Sequence, residues 1–278
     1  MIASPLLEIS DLRITAPGGL DTTLVSGISL TVAPGEAVGI VGESGSGKSL
    51  TCRSALGIVP EGLTVTAERL RFGGVDLATL DERAWRRIRG GRIGAVFQDP
   101  ASYLNPSITV GRQLEEVLRV QGRSPRRQAK QDAVAALGRL GLRDPERVAT
   151  RYPHELSGGM LQRVLIALAI IEQPDLLIAD EPTTALDVTV QAEVLDVLAK
   201  LRRDTGLALL FVSHDLAVVA QVCDRIVVMQ AGAIVEEGAS SAVLHHPRHP
   251  YTRSLLAAHR EYGLDRLRAH ESAEVARV

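Results

Sequence analysis

The sequence predicts an α/β protein with a mainly parallel sheet and an inserted helical unit, and two observations carry that expectation. Short apolar runs recur at residues 24–32, 37–41, 93–97, 176–179, 208–212 and 225–229, several of them followed by helical patterns. Such alternation reads as strands joined by crossover helices. Between Asp99 and Glu155 the pattern changes, with amphipathic helical periods over 109–120 and 126–140 and no convincing strand between them. After Gly238 the chain returns to helix and loop, and the stretch from His245 to Tyr251, broken by Pro247 and Pro250, links to a last helix. The expected division is therefore a core of residues 1–98 and 161–246, a helical subdomain of residues 99–160, and a tail of residues 247–278.

Composition narrows the function classes. The chain has 278 residues and 45% hydrophobic content, enough to bury one large core. Its 31 Lys and Arg against 33 Asp and Glu give 31 − 33 = −2, so nothing in the balance points to a polyanion, and nucleic acid is not the expected partner. Cys52 and Cys223 stand far apart without metal-knuckle or disulfide spacing, which fits a reducing compartment. The N-terminus lacks the basic and apolar regions of a secretory signal. No apolar run approaches the roughly 20 residues that span a bilayer, so any membrane role is expected to come through a partner.

Five segments carry chemistry. Gly42-Glu43-Ser44-Gly45-Ser46-Gly47-Lys48-Ser49 matches G-x-x-x-x-G-K-[ST], after an apolar run and before a helical stretch. Glycines let the backbone wrap an anion, N–H groups face phosphate oxygens, Lys48 reaches the β- and γ-phosphates, and Ser49 is placed to ligate Mg²⁺. The expected ligands are thus ATP and Mg²⁺. The run 176–179 ends in Asp180 and Glu181 at the sheet edge where ligands bind. Alone, such a carboxylate also serves as a turn cap. Beside the loop, Asp180 is expected to hold Mg²⁺ through its water shell and Glu181 to polarise the attacking water.

Gln98 and His214 close two further runs on the same side. Gln98 offers an oxygen to Mg²⁺ or its water, and His214 offers a hydrogen bond to the γ-phosphate and support for Glu181. Last, Ser157-Gly158-Gly159 opens an apolar helix with an N-cap serine and makes a second helix-terminus anion site. One phosphate site already exists in the chain. The second therefore suggests service to a neighbouring subunit's nucleotide in a sandwich dimer.

In that order and spacing, GESGSGKS, Gln98, LSGGMLQR, LLIADEP, Ala185-Leu186-Asp187 and Ser213-His214-Asp215 resemble the nucleotide-binding subunits of ABC transporters over residues 6–240. The resemblance implies a P-loop NTPase with a RecA-like core, an antiparallel β edge near the N-terminus, ATP clamped between one subunit's Gly42 loop and its partner's Ser157 helix, and Asp187 as a relay at the dimer seam. It also implies a second ATP-binding subunit, a paralogue or another copy, two integral permease subunits and, indirectly, an extracytoplasmic substrate-binding protein. The chain would sit on the cytoplasmic face of the cell membrane.

Gln98 to Pro106, Tyr152-Pro153-His154-Glu155 and the tail from His249 to Leu256 resemble the peptide/nickel importer branch. Peptide-permease members often carry a cysteine-rich tail, and none follows Cys223 here. The short tail and the stretches from Ser49 to Cys52 and from Ser254 to Gly263 look more like the nickel-import subunit, so uptake of nickel or a chelated metal is the favoured expectation, with di- or oligopeptides the alternative. A soluble non-transport ABC ATPase is a more distant rival, opposed by the single compact cassette. A catalytically dead assembly subunit is another, opposed by Glu181 and His214.

One departure stands out. Family members usually stack adenine on an aromatic residue shortly before the Gly loop, and Arg13-Ile14-Thr15-Ala16 contains none. Base selectivity is expected to be slack. His245, His246 and His249 are read as surface rather than as a metal site. The arginines at 83, 86, 87, 89 and 92 around Trp85, and the run of Arg123, Arg126, Arg127 and Lys130, are read as solvated helix faces.

Overall fold

The computed structural model describes residues 4–18, 22–120, 125–184 and 186–258. Ala185, Arg123 and the tail from His259 onward lie outside them. The N-terminal part is antiparallel. β1 (Leu7–Thr15) and β2 (Thr23–Val32) pair from Leu7↔Val32 to Thr15↔Thr23, each largely alternating covered and open positions as a sheet with one packed face requires. β3 (Ala37–Val41) and α1 (Lys48–Ala55) follow, and then β4 (Thr64–Thr66), β5 (Arg69–Phe72) and β6 (Val75–Asp76) return to the first sheet. Its order is β2-β1-β5-β6, with β4 also on β1. The expected antiparallel element is thus a small sheet of its own. Only β2 is plain as an apolar run, because Asp11, at φ 47°, and a register shift break the period of β1.

α2 (Glu82–Ile88) turns Trp85 and Ile88 inward and leaves Arg83, Arg86 and Arg87 exposed as expected, whereas Arg89 and Arg92 lie beyond the helix, half-buried, donating to the Leu56 carbonyl and to Asp175. β7 (Ile93–Val96) forms one edge of the second sheet, to which β3 also belongs. The helical insertion follows as α3 (Val110–Val120), α4 (Arg126–Arg139) and the unforeseen short α5 (Pro145–Ala149), and α6 (Gly158–Ile170) leads back to the sheet. The remaining elements are β8 (Leu176–Asp180), α7 (Val188–Thr205), β9 (Ala208–Ser213), α8 (Leu216–Val222), β10 (Arg225–Gln230), β11 (Ala233–Ala239) and α9 (Ser240–His245).

Among the described residues the second sheet runs β11-β10-β3-β9-β8-β7, parallel throughout except for the β10–β11 hairpin at its edge. Every residue of β3, β8 and β9 is buried. These strands are covered on both faces, which is why they read as unbroken apolar runs. On one face Val38, Ile40, Ile178 and Leu210 meet Leu7, Ile9 and Leu12 of the antiparallel sheet. On the other, Val41, Leu177 and Phe211 pack under Val164, Leu198 and Val219 of the helices. The C-terminal ends of β3, β8, β9 and β7 share one edge, which brings Gly42, Asp180, His214 and Gln98 to the same side.

Candidate functional site

The phosphate loop grows from the end of β3. Gly47 sits at φ 97° directly before α1, a left-handed conformation that costs an L side chain strain. At Gly42 a Cβ would fall 2.1 Å from the Met229 carbonyl oxygen, so only glycine lets the loop pass the end of β10. Lys48 is buried, and its Nζ donates to the Gly42 carbonyl at 2.7 Å, the Glu43 carbonyl at 2.8 Å and Ser46 Oγ at 3.4 Å. Burial lowers the Lys48 pKa from its usual range, and the carboxylates of Glu181 and Asp180 oppose that shift. The first turn of α1 carries no acidic side chain, so its N–H groups are suited to an anion.

Ser49 Oγ donates to Asp180 Oδ1 at 2.9 Å. Burial raises the Asp180 pKa, the Ser49 bond opposes this, and the Glu181 charge adds to it. A hydroxyl and a buried carboxylate form a hard-oxygen pair of the kind Mg²⁺ takes, and a cation there would offset the cost of burying Asp180. Glu181 occupies φ 50°, held by its N–H donating to the Val212 carbonyl at 3.0 Å. A non-glycine residue in that region marks stored backbone strain. Its Oε2 accepts from Thr184 Oγ1 at 2.8 Å and lies 3.5 Å from His214 Nδ1.

The structure thus brings Lys48, Ser49, Asp180, Glu181 and His214 together. Gln98 is exposed two residues beyond β7, on the same sheet edge. Ser157 and Gly158 stand apart from this cluster, exposed at the start of α6, with Ser157 Oγ accepting from Met160 N at 3.4 Å. Gly159 is buried where a Cβ would come 2.3 Å from Val190 Cγ1 of α7. Asp187 caps α7 by accepting from Val190 N at 2.9 Å. Two contacts escaped the sequence reading. Thr184 lies three residues after Glu181, a local spacing that signals a hydroxyl bond. Tyr251 reaches Glu43 N across 208 residues, with no local signal at all.

Comparison with known proteins bears on the family and the fold. The family model described as ABC transporter matches residues 25–184. The chain belongs to the ABC transporter family. A putative peptide import ATP-binding protein of Brucella melitensis is 49% identical over 263 residues, covering 92% of this chain and 78% of that one. The dipeptide transport ATP-binding protein of Escherichia coli is 46% identical over 244 residues, with 88% and 75% covered. Among solved structures, the ATP-binding cassette MJ0796, a dimer in a post-hydrolysis state with ADP and Pi, superposes with TM-score 0.74 at 28% identity, covering 84% of this chain and 98% of that one. This ABC protein is accordingly an ATPase of the cassette type, with the α/β P-loop fold, mixed sheets and helical subdomain of its relatives. Among its described residues no helix is long and apolar enough to cross a membrane.

Proposed function

We propose that this ABC ATPase powers a peptide importer as one half of a sandwich dimer on the cytoplasmic face of the membrane. The observation that carries the chemistry is the convergence of Lys48, the Ser49–Asp180 pair and the Glu181–His214 pair at one sheet edge. In this reading residues 1–246 form the cassette and residues 247–278 the tail. Residues 42–49 wrap the phosphates, and Lys48 exchanges its carbonyl partners for the β- and γ-phosphates. Ser49, Gln98 and Asp180 would hold Mg²⁺, which when bound would neutralise phosphate charge. Glu181 leaves Thr184 to accept the proton of the attacking water, with His214 fixing its carboxylate. Ser157, Gly158 and Gly159 cover the γ-phosphate of the neighbouring subunit, and Asp187 relays closure across the seam.

The relatives named for peptide and dipeptide transport support the peptide alternative better than the nickel reading favoured from the tail. Permease contact falls to the segment after Gln98. It borders an apolar groove of about 610 Å³ lined by Phe97, Tyr103, Val117 and Leu168. The test is uptake by vesicles holding this chain with its co-expressed partner ATPase, permeases and binding protein. ATP-driven accumulation of labelled dialanine is expected and is lost with Glu181→Gln. Nickel uptake without peptide uptake overturns the substrate, and full activity without permease co-purification overturns the transport role.

A further inference from the structure

The His249-Pro250-Tyr251 motif has no part in the chemistry above, yet its tyrosine touches the phosphate loop. The backbone N–H of Glu43, second residue of the loop, donates to Tyr251 Oη at 2.9 Å. The Glu43 carbonyl accepts from Lys48 Nζ at 2.8 Å and from Ser46 N at 3.2 Å. Both backbone polar groups of this residue are therefore fixed before a nucleotide arrives. Bound phosphate would draw Lys48 away from the carbonyl, which leaves Ser46 N on that carbonyl and Tyr251 Oη on the N–H.

Sheet register explains how the tail reaches so far. Glu236 of β11 lies opposite Val228 of β10, and Val228 lies opposite Val41 of β3, the residue that precedes Gly42. The Glu236 carboxylate accepts the backbone N–H of Arg248 at 2.7 Å and of His249 at 3.0 Å. It thereby pins the turn that launches the helical backbone of residues 250–258. Arg253 Nη1 ties that turn further by donating to the carbonyls of Pro247 at 3.2 Å and Arg248 at 3.0 Å. Thr252 is fully buried and Leu255 nearly so, which seats the helix on the core. The Tyr251 ring packs against the same core, so the phenol is presented to the loop from a rigid base.

We infer that Tyr251 is a positioning residue for nucleotide binding, through which a C-terminal strap anchored at Glu236 holds the entrance of the phosphate loop in its binding shape. The inference rests on residues 42–49 being the nucleotide loop. Without the Tyr251 bond the Glu43 N–H loses its side-chain anchor, and part of the binding free energy goes into ordering the loop entrance. One neutral hydrogen bond near solvent corresponds to a loss of about two- to tenfold in affinity.

The test uses the full chain and four variants: Tyr251→Phe, Glu236→Gln, the two combined, and Lys48→Ala. ATP dissociation constants come from competition against a fluorescent ATP analogue, with melting temperatures and steady-state ATPase kinetics in parallel. Tyr251→Phe keeps the ring and is expected to raise Kd and KM about two- to tenfold, with kcat much less affected and the nucleotide-free melting temperature preserved. Glu236→Gln is expected to move Kd in the same direction, and the double variant to bind no worse than Tyr251→Phe alone. An unchanged Kd in Tyr251→Phe overturns the inference, and additive losses in the double variant overturn its route through the strap. Lys48→Ala separates the two levels. Undiminished binding there sinks the loop assignment itself, whereas lost binding there beside a normal Tyr251→Phe sinks only the role of Tyr251.

Discussion

Ser49 donates its hydroxyl hydrogen to Asp180 Oδ1 at 2.9 Å, joining the first turn of α1 to the end of β8 across 131 residues of sequence. The bond joins the two groups proposed to share one Mg²⁺, so removing the carboxylate charge has a specific consequence. Asp180→Asn is expected to weaken Mg²⁺-dependent ATP binding about ten- to hundredfold, as loss of an outer-sphere partner does. Titrating ATP with and without EDTA checks this. The wild type should lose affinity on chelation, and the variant should respond little.

Glu181 is the group expected to activate water, since it ends beside His214 with its carboxylate held by Thr184. Glu181→Gln keeps the shape and removes the base. Turnover should fall about 10²- to 10⁴-fold while ATP binding persists. Phosphate release and analytical ultracentrifugation with ATP check both halves, and undiminished turnover would remove Glu181 from the role.

Glu36 links the start of β3 to β10 through Arg225 Nε at 2.8 Å. Burial alone would raise its pKa, but the bonds from Arg225 and from the Ala33 N–H bring it below the usual glutamate value. With the folded pKa depressed, the stabilisation is present above the unfolded pKa and is lost as pH falls through the folded one. Glu36→Gln should therefore lower the melting temperature by about 2–4 °C at pH 7. The gap to wild type should shrink on acidification below the ordinary glutamate range, as differential scanning calorimetry would read.

Gly94 lies where β7 meets α6, and a Cβ there would stand 2.2 Å from the Ala169 carbonyl oxygen. A helix backbone does not swing aside as a side chain does. Gly94→Ala is expected to destabilise the chain by about 1–3 kcal/mol through overpacking. Urea unfolding measures it, and an unchanged midpoint would show that the strand and helix separate at little cost.

At the base end of a nucleotide, the family resemblance leads one to expect an aromatic ring where Ala16 stands, and the Ala16 N–H donates to the Thr22 carbonyl at 2.9 Å. Binding should then depend mainly on phosphates. GTP is expected to be hydrolysed at a rate within about tenfold of ATP, since a missing stacking contact removes roughly 1–1.5 kcal/mol of base preference. Strict ATP preference in a competition assay would show another surface gripping adenine.

What the sequence determined by itself was local. Gly42, Gly47 and Lys48 form a loop whose backbone conformation and charge are dictated within eight residues, and β3, β8 and β9 are legible because strands buried on both faces carry uninterrupted apolar runs. Ser157 announced itself as a helix cap for the same reason, whereas the capping of α7 by Asp187 appeared only in the structure. The tertiary structure decided which of these ends meet. The order β10-β3-β9-β8-β7 sets Asp180 beside Ser49 and His214 beside Glu181, and the register Glu236–Val228–Val41 carries Tyr251 to Glu43. A one-dimensional period records which face of an element is buried. It holds no record of which distant strand lies alongside, because that choice is made by packing two sheets and a layer of helices into shared cores.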